Sequence, residues 1–116
     1  MTYRPTVLVD FDGVIHAYTR GWDDGEAYDP PIEGAKEHLK AIEEAGYDVV
    51  IFSTRDRDQI RAWLQKWEFE SYDVTNEKRP ALCMIDDRAI RFSNWDDALY
   101  QLLQLYPIRE TRKENR

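Results

Sequence analysis

Thr6-Val7-Leu8-Val9-Asp10-Phe11-Asp12-Gly13-Val14 is the stretch of sequence that decides the fold. It begins with a short run of β-branched residues and leucine, which is typical of a strand buried on both faces in a parallel sheet. Asp10 and Asp12 are two residues apart, so their side chains point to the same side if the strand continues through them. Gly13 then allows a sharp turn. The stretch predicts two carboxylates at the carboxyl end of a strand.

Strands and helices alternate along the rest of the chain. Residues 32–45 and 57–67 have apolar residues at every third or fourth position, as amphipathic helices do. Further strands are predicted at 47–52, 72–75 and 82–85. A last helix follows Asn94, which is a suitable N-cap. Its predicted apolar face comprises Trp95, Ala98, Leu99, Leu102, Leu103 and Tyr106.

This order of elements predicts an α/β, three-layer Rossmann-like fold, because parallel strands need crossover connections. We expect an open, mostly parallel sheet with helices on both faces. The chain has 116 residues, of which 42% are hydrophobic and 34% charged, enough for one core and too few for two. We therefore assign residues 1–107 to a single domain and the mostly charged residues 108–116 to a C-terminal tail.

Cys83 is the only cysteine, so no internal disulfide can form. It lies in an apolar run and is predicted to be a buried structural thiol. The sequence has no apolar run long enough to span a bilayer and no basic, apolar leader. The cytoplasm is therefore the expected location, and no membrane partner is expected.

The formal net charge of -7 argues against a broad nucleic-acid-binding surface, because binding to the phosphate backbone needs clustered Lys and Arg. A local basic groove remains open as an alternative. Part of the negative charge forms short clusters, such as Asp10 with Asp12 and Asp86 with Asp87. A bound cation would offset such a cluster, so the composition points to a metal.

Polar residues follow the predicted strands at the point where each ends. Ser53, Thr54 and Arg55 follow the second strand, and Asp86 and Asp87 follow the last. Ligands of open parallel sheets bind at the carboxyl ends of the strands, where these residues are expected to converge. The first acidic pair could instead be an exposed strand end before a turn. That alternative does not explain the acids and the lysine at later strand ends.

Four motifs, taken in order, resemble those of the haloacid dehalogenase-like superfamily. They are Asp10-Phe11-Asp12-Gly13-Val14, Ser53, Lys78 and Asp86-Asp87. Each motif is weak by itself, but chance would seldom produce all four in this order beside the expected strands. The resemblance implies a magnesium-dependent phosphatase.

By this resemblance, Asp10 is the nucleophile, which forms an aspartyl-phosphate, and Asp12 is the general acid and base. An aspartate at the second position favours phosphate transfer over dehalogenation. Ser53 would donate a hydrogen bond to a phosphate oxygen, with capping of the following helix as its alternative role. Lys78 would stabilise the nucleophile and the transferring phosphoryl group, although the neighbouring Arg79 blurs this assignment.

The resemblance also implies a Mg²⁺ site formed by Asp10, the backbone carbonyl of Asp12, Asp86 and Asp87. Relatives with glycine before the metal-binding aspartate indicate Asp87 as the direct ligand and Asp86 as outer support. Arg88 completes an Asp-Asp-Arg sequence similar to that of polynucleotide 3'-phosphatase domains in the same superfamily. Three residues do not assign a substrate.

Several residues near the acids have two open roles. Thr54 and Arg55 would assist in phosphate binding, with a solvated loop position as the alternative for Arg55. The aromatic residues between the first strand and the first helix would either stack on a substrate or pack their own loop against the domain. This group comprises His16, Tyr18, Trp22 and Tyr28. Packing is favoured for the two tyrosines, and neither role is favoured for His16 and Trp22.

The short spacing between motifs leaves little room for the cap domain of larger superfamily members, so we expect an open site. Its substrate would be a small phosphorylated molecule, such as a nucleotide or phosphosugar, or the phosphorylated end of a polymer. Two other functions remain alternatives. One is a receiver-like signalling domain, which would carry its lysine after all its acids, whereas Lys78 precedes Asp86. The other is a phosphate-binding scaffold without catalysis.

Overall fold

The computed structural model describes residues 3–22 and 26–108. The strands are β1 (Thr6–Asp10), β2 (Asp48–Phe52), β3 (Asp73–Thr75) and β4 (Cys83–Ile85). The helices are α1 (Ala35–Glu44), α2 (Arg57–Lys66) and α3 (Trp95–Leu105). The strands form one sheet in the order β3-β2-β1-β4, and every neighbouring pair is parallel. The predicted α/β fold with a parallel sheet is confirmed.

The helix ends have local chemical causes. At the start of α2, Asp56 Oδ2 accepts a hydrogen bond from the Gln59 backbone N–H at 3.1 Å. At the start of α3, Asn94 Oδ1 accepts from the Asp97 backbone N–H at 2.9 Å, as predicted. Gly46 follows α1 with a φ of 110°, in the left-handed region where glycine avoids a steric penalty. The predicted starts of α2 and α3 are confirmed.

Helices α1 and α2 cover one face of the sheet and share its core. Helix α1 lies against β2, and α2 lies against β3. The core contains Val7, Val9, Phe11, Leu39, Val49, Ile51, Ile60, Trp63, Leu64 and Val74. The rings of Phe11 and Trp63 meet edge to face, with their centroids 5.0 Å apart. The aromatic face of α2 is therefore part of the core, as predicted.

Helix α3 forms where it is predicted but does not join this core. In the described residues it packs against no strand and no other helix. Its apolar side chains are exposed, Trp95 to 79% and Leu99 to 56%. The predicted layer of helices on the second face of the sheet is therefore not confirmed. The apolar periodicity predicts that a helix forms, but it does not determine which surface receives the apolar face.

Cys83 is exposed, so the prediction of a buried thiol is wrong. It lies in β4 at the edge of the sheet, where it is in register with Val7 of β1. Helices α1 and α2 do not reach β4 in the described part of the chain. An apolar run is therefore less buried at this sheet edge than it would be in a central strand.

The predicted C-terminal tail lies outside the described residues, apart from Ile108, which is exposed. Among the helices that the structure describes, none is long and apolar enough to cross a membrane.

Matched truncations distinguish the core from the surface of α3. We expect Ile51→Ala, at a fully buried position of β2, to lower the free energy of unfolding by about 2–5 kcal/mol, because it leaves a cavity. We expect Leu99→Ala on α3 to change it by less than about 0.5 kcal/mol. Urea unfolding followed by circular dichroism measures both values. A loss at Leu99 as large as at Ile51 would mean that α3 is packed.

Candidate active and metal site

Strand pairing brings together acidic residues that are far apart in the sequence. Val9 of β1 is in register with Ile85 of β4, so Asp10 and Asp86 come at neighbouring strand ends. Asp10, Asp86 and Asp87 each offer a carboxylate oxygen, and these oxygens lie within 4.8 Å of one another. We call these three residues the acidic cluster. The predicted convergence of the first and last motifs is therefore present in the structure.

The three carboxylates of the acidic cluster carry like charges and lie close together in a partly buried environment. Burial, followed by the negative charge of Asp86, raises the pKa of Asp10 to about 6. A divalent cation would compensate this repulsion, and carboxylate oxygens are the ligands that hard cations prefer. The donor set therefore fits a metal ion, and the preference of this site for Mg²⁺ stays a prediction.

The carboxylates of Asp86 and Asp87 both lie near that of Asp10. Alternation along a strand would instead send the side chains of two consecutive residues to opposite faces of the sheet. Strand β4 ends at Ile85, and the Arg88 backbone N–H donates to Asp86 Oδ1 at 2.8 Å in a tight turn. The turn ends the alternation. The choice of Asp87 over Asp86 as the direct ligand stays a prediction, as does the part played by the carbonyl of Asp12.

Gly13 allows Asp87 to approach the end of β1. Its φ is 83°, in the left-handed region. A Cβ atom at Gly13 would lie 2.9 Å from Asp87 Cγ and closer still to Asp87 Oδ2. The absent side chain therefore leaves the space that the Asp87 carboxylate occupies.

The Asp12 carboxylate is contacted by hydrogen-bond donors. Arg55 Nε donates to Asp12 Oδ2 at 2.9 Å and to Oδ1 at 3.1 Å. His16 Nδ1 lies 2.7 Å from Asp12 Oδ1. The side chains of Arg55 and His16 are fully buried, whereas that of Asp12 is 14% exposed. These contacts hold the Asp12 carboxylate in one orientation.

The pairing of Arg55 with Asp12 is a contact that the sequence interpretation missed. Arg55 is buried, so the alternative of a solvated loop residue is wrong, while its contact with phosphate stays a prediction. Its guanidinium carbon lies 4.5 Å from the ring centroid of Trp22 and 5.6 Å from that of Tyr18. The sequence carries no direct signal for this contact, because it depends on the register of β1 with β2, which pairs Asp10 with Phe52.

The tyrosines of the loop between β1 and α1 contact their own segment. The Tyr28 hydroxyl donates to the Gly21 carbonyl oxygen at 2.9 Å and accepts from the Arg20 backbone N–H at 2.6 Å. The ring of Tyr18 lies 6.0 Å from that of His16. Both contacts agree with the packing role that was favoured for the tyrosines.

Ser53 and Thr54 lie where β2 ends, beside the acids. Ser53 is buried, and its Oγ accepts a hydrogen bond from the Arg55 backbone N–H at 3.1 Å. The alternative role of Ser53 as helix cap belongs to Asp56 in the structure. A cavity of about 220 Å³ is lined by Asp10, Asp12, Phe52, Ser53, Thr54, Met84, Asp86 and Arg88. Ser53 and Thr54 are therefore positioned to contact a group bound beside Asp10.

Lys78 is exposed in the loop between β3 and β4. Within residues 3–22 and 26–108 it makes neither a hydrogen bond nor an ion pair. Its neighbour Arg79 pairs with Asp73 through a contact of 2.7 Å. Arg79 therefore has a structural partner, whereas Lys78 has none in the part of the chain that the structure describes. Its predicted role stays a prediction.

Comparisons with known proteins support the fold and leave the activity open. No family model matches the chain, and no curated protein matches it. A conserved protein from Bacteroides thetaiotaomicron is similar in structure, with 24% identity and a TM-score of 0.57 over 89% of this chain and 92% of that one. A chain of the Pnkp1/Rnl/Hen1 complex has 24% identity and a TM-score of 0.51, over 95% of this chain and 37% of that one. At this level of identity the likeness shows a shared fold.

A pair of glycine substitutions tests whether Gly13 shapes the acidic cluster. Gly13 and Gly21 both have positive φ, but a Cβ at Gly21 would meet nothing within 4 Å. We expect each change to alanine to cost about 1 kcal/mol of stability through backbone strain. Since Gly13→Ala also displaces Asp87, it should weaken Mg²⁺ or Mn²⁺ binding at least about tenfold in isothermal titration calorimetry. Equal metal affinities in the two variants would contradict this account.

Proposed function

We propose that this protein is a metal-dependent phosphomonoester hydrolase that uses Asp10 as its nucleophile and Mg²⁺ as its cofactor. The observation that carries the proposal is the contrast at the end of β1, where Asp10 lies among acids and Asp12 among donors. Two carboxylates in such different surroundings suit two different chemical roles. The resemblance of the four motifs to the haloacid dehalogenase-like superfamily supports the same reaction.

The reaction proceeds in two displacements. A carboxylate oxygen of Asp10 attacks phosphorus, the bond from phosphorus to the leaving oxygen breaks, and Asp12 gives its proton to that oxygen. Asp12 then takes a proton from water as the water oxygen attacks phosphorus. The Asp10–phosphorus bond breaks and inorganic phosphate leaves. The proton that Asp12 gave to the leaving group is thereby replaced, and both carboxyl groups return to their initial state.

Asp10, Asp86 and Asp87 are the residues that would hold the metal, because their oxygens already converge. The bound cation supplies charge stabilisation for the phosphoryl oxygens. Ser53 donates a hydrogen bond from its hydroxyl group to a phosphoryl oxygen, a role supported by its place in the wall of the cavity beside Asp10. Lys78 adds positive charge there after a movement of its exposed loop.

A second cavity supports an open site that accepts a sizeable leaving group. It has a volume of about 500 Å³ and shares Ser53 and Thr54 with the cavity beside Asp10. Its further lining includes Arg57, Arg61 and Asn76. A volume in this range is typical of pockets for small organic ligands, so nucleotides, phosphosugars and 3'-phosphorylated oligonucleotides are the substrates to screen.

The two other functions differ from this one in turnover. A receiver-like domain would accept phosphate from a small donor and retain it, and a scaffold would bind phosphate without forming a covalent adduct. The fixed orientation of Asp12 favours the hydrolase, because a phosphate store does not need a positioned acid and base.

Replacement of the nucleophile gives the first test. We expect Asp10→Asn to abolish Mg²⁺-dependent release of phosphate from an aryl phosphate, because the amide cannot form the acyl phosphate. The variant should stay folded, since the change removes one of three crowded negative charges. Phosphate release and circular dichroism of the same sample measure the two properties.

Asp96→Asn is the matched control, because Asp96 lies in the first turn of α3, outside the acidic cluster. It should hydrolyse the aryl phosphate at the rate of the parent protein. Activity in Asp10→Asn equal to that of the control would disprove the nucleophile assignment. Stoichiometric labelling of the parent protein without turnover would favour the receiver-like domain.

Metal removal gives the second test. We expect a chelator to abolish hydrolysis and added Mg²⁺ to restore it, because the three carboxylates repel phosphate unless a cation compensates their charge. Rates at increasing Mg²⁺ concentration give the apparent affinity of the site. We expect Asp86→Asn and Asp87→Asn each to raise the required Mg²⁺ concentration at least about tenfold. Full activity in the presence of the chelator would exclude the metal requirement.

A further inference from the structure

We infer that His16 and Arg55 are positioning residues for Asp12, and that His16 acts as the tautomer with its proton on Nδ1. The inference deepens the proposed function and rests on it, because it assigns supports to the residue that exchanges protons with the leaving group and with water. Both residues contact Asp12 directly and are fully buried.

The tautomer follows from the contact on the other side of the ring. The Asp29 backbone N–H points at His16 Nε2, with a distance of 2.9 Å between the two nitrogens. A backbone N–H can only donate, so Nε2 must accept and cannot carry a proton. The proton of the neutral ring is therefore on Nδ1, which donates to Asp12 Oδ1 at 2.7 Å. A second proton on Nε2 would face the Asp29 N–H.

The ring cannot rotate to escape this arrangement. Phe11 stacks on it, with centroids 5.2 Å apart and planes 12° from parallel. Trp63 and Tyr28 meet it edge to face, at 5.7 Å and 5.3 Å. The backbone of Asp29 is held as well, because Trp63 Nε1 donates to the Asp29 carbonyl oxygen at 2.8 Å and so anchors this residue to α2.

The tight turn after β1 brings His16 back to Asp12. The His16 backbone N–H donates to the Phe11 carbonyl oxygen at 2.9 Å, and the Gly13 N–H donates to the His16 carbonyl oxygen at 2.8 Å. His16 thereby reaches Asp12 from its own turn, whereas Arg55 reaches it from the end of β2. Two independent elements hold one carboxylate.

The contacts also distinguish the two oxygens of Asp12. Oδ1 accepts from His16 and from Arg55, whereas Oδ2 accepts from Arg55 in the described part of the chain. A carboxylate oxygen has two lone-pair directions, so Oδ1 is saturated and Oδ2 retains one. We assign Oδ2 as the atom that gives the proton to the leaving oxygen and takes one from water.

Two substitutions of the same residue separate positioning from packing. The side-chain nitrogen of Asn in His16→Asn occupies the place of Nδ1 and can donate to Asp12. In His16→Gln the amide nitrogen falls in the place of Nε2 and leaves Asp12 Oδ1 without this donor. Both remove the same ring from the core, so the two variants should have similar melting temperatures.

The rates on substrates with different leaving groups distinguish a positioning role from a merely structural one, which would affect all substrates equally. An alkyl phosphate needs protonation of its leaving oxygen, whereas 2,4-dinitrophenyl phosphate does not. The ratio kcat/KM reports the steps up to release of the leaving oxygen and so excludes the later attack of water, which needs Asp12 for both esters. We expect His16→Gln to lower kcat/KM up to about 100-fold on the alkyl phosphate and less than about threefold on the dinitrophenyl ester. His16→Asn should recover at least about a tenth of the parent kcat/KM on the alkyl phosphate. Arg55→Lys, which keeps the charge but moves the donor, should show the same selective loss.

Equal losses of kcat/KM on both substrates, or equal kcat/KM values of the Asn and Gln variants on the alkyl phosphate, would overturn the positioning role. The tautomer is tested without any substrate, by ¹⁵N NMR of the imidazole nitrogens. The chain has two histidines, so a His38→Gln variant assigns the signals of His16. We expect a protonated Nδ1 and an unprotonated Nε2, and the reverse pattern would overturn the tautomer. A parent protein that hydrolyses neither ester would disprove the proposed function, while the NMR result still decides the tautomer.

Discussion

The parallel pairing of β1 with its neighbours is the constraint on which the site depends. The register of β1 with β4 places Asp10 beside the acids that follow Ile85, and the register of β1 with β2 places Asp12 beside the residues that follow Phe52. Like charges repel strongly where burial lowers the dielectric constant. The backbone hydrogen bonds of the sheet hold the carboxylates of the acidic cluster together against this repulsion, and a cation can then relieve it.

One turn separates two opposite environments. Asp10 faces the β4 side, where its neighbours are acids, and Asp12 faces the β2 side, where its neighbours are donors. The turn after Asp12 contributes in two ways, because Gly13 leaves room for Asp87 and the returning chain brings His16 to Asp12. The two carboxylates of a five-residue motif can therefore perform different steps of one reaction.

The sequence was sufficient to predict the features that depend on local residue pattern and on the order of the strands. It predicted the alternation of elements, the cap at Asn94 and the convergence of Asp10 with Asp86. It could not predict the contacts that depend on tertiary geometry. The burial of Arg55 against Asp12 needs the register of β1 with β2, and the exposure of Cys83 needs the position of β4 at the sheet edge. Apolar periodicity predicted α3 but did not determine its neighbours.

In the proposed phosphatase, the two cavities that share Ser53 and Thr54 would separate the chemical step from recognition of the leaving group. The smaller one contains the acids, and the larger one extends along the start of α2. The lining of the larger cavity has balanced charges, because Asp56 and Asp58 accompany Arg57 and Arg61 and Arg55 is paired with Asp12. Recognition of a leaving group there would depend on hydrogen bonds and shape more than on net charge. The formal charge of -7 on the whole chain therefore does not decide whether the leaving group is neutral, sugar-like or part of a nucleic acid.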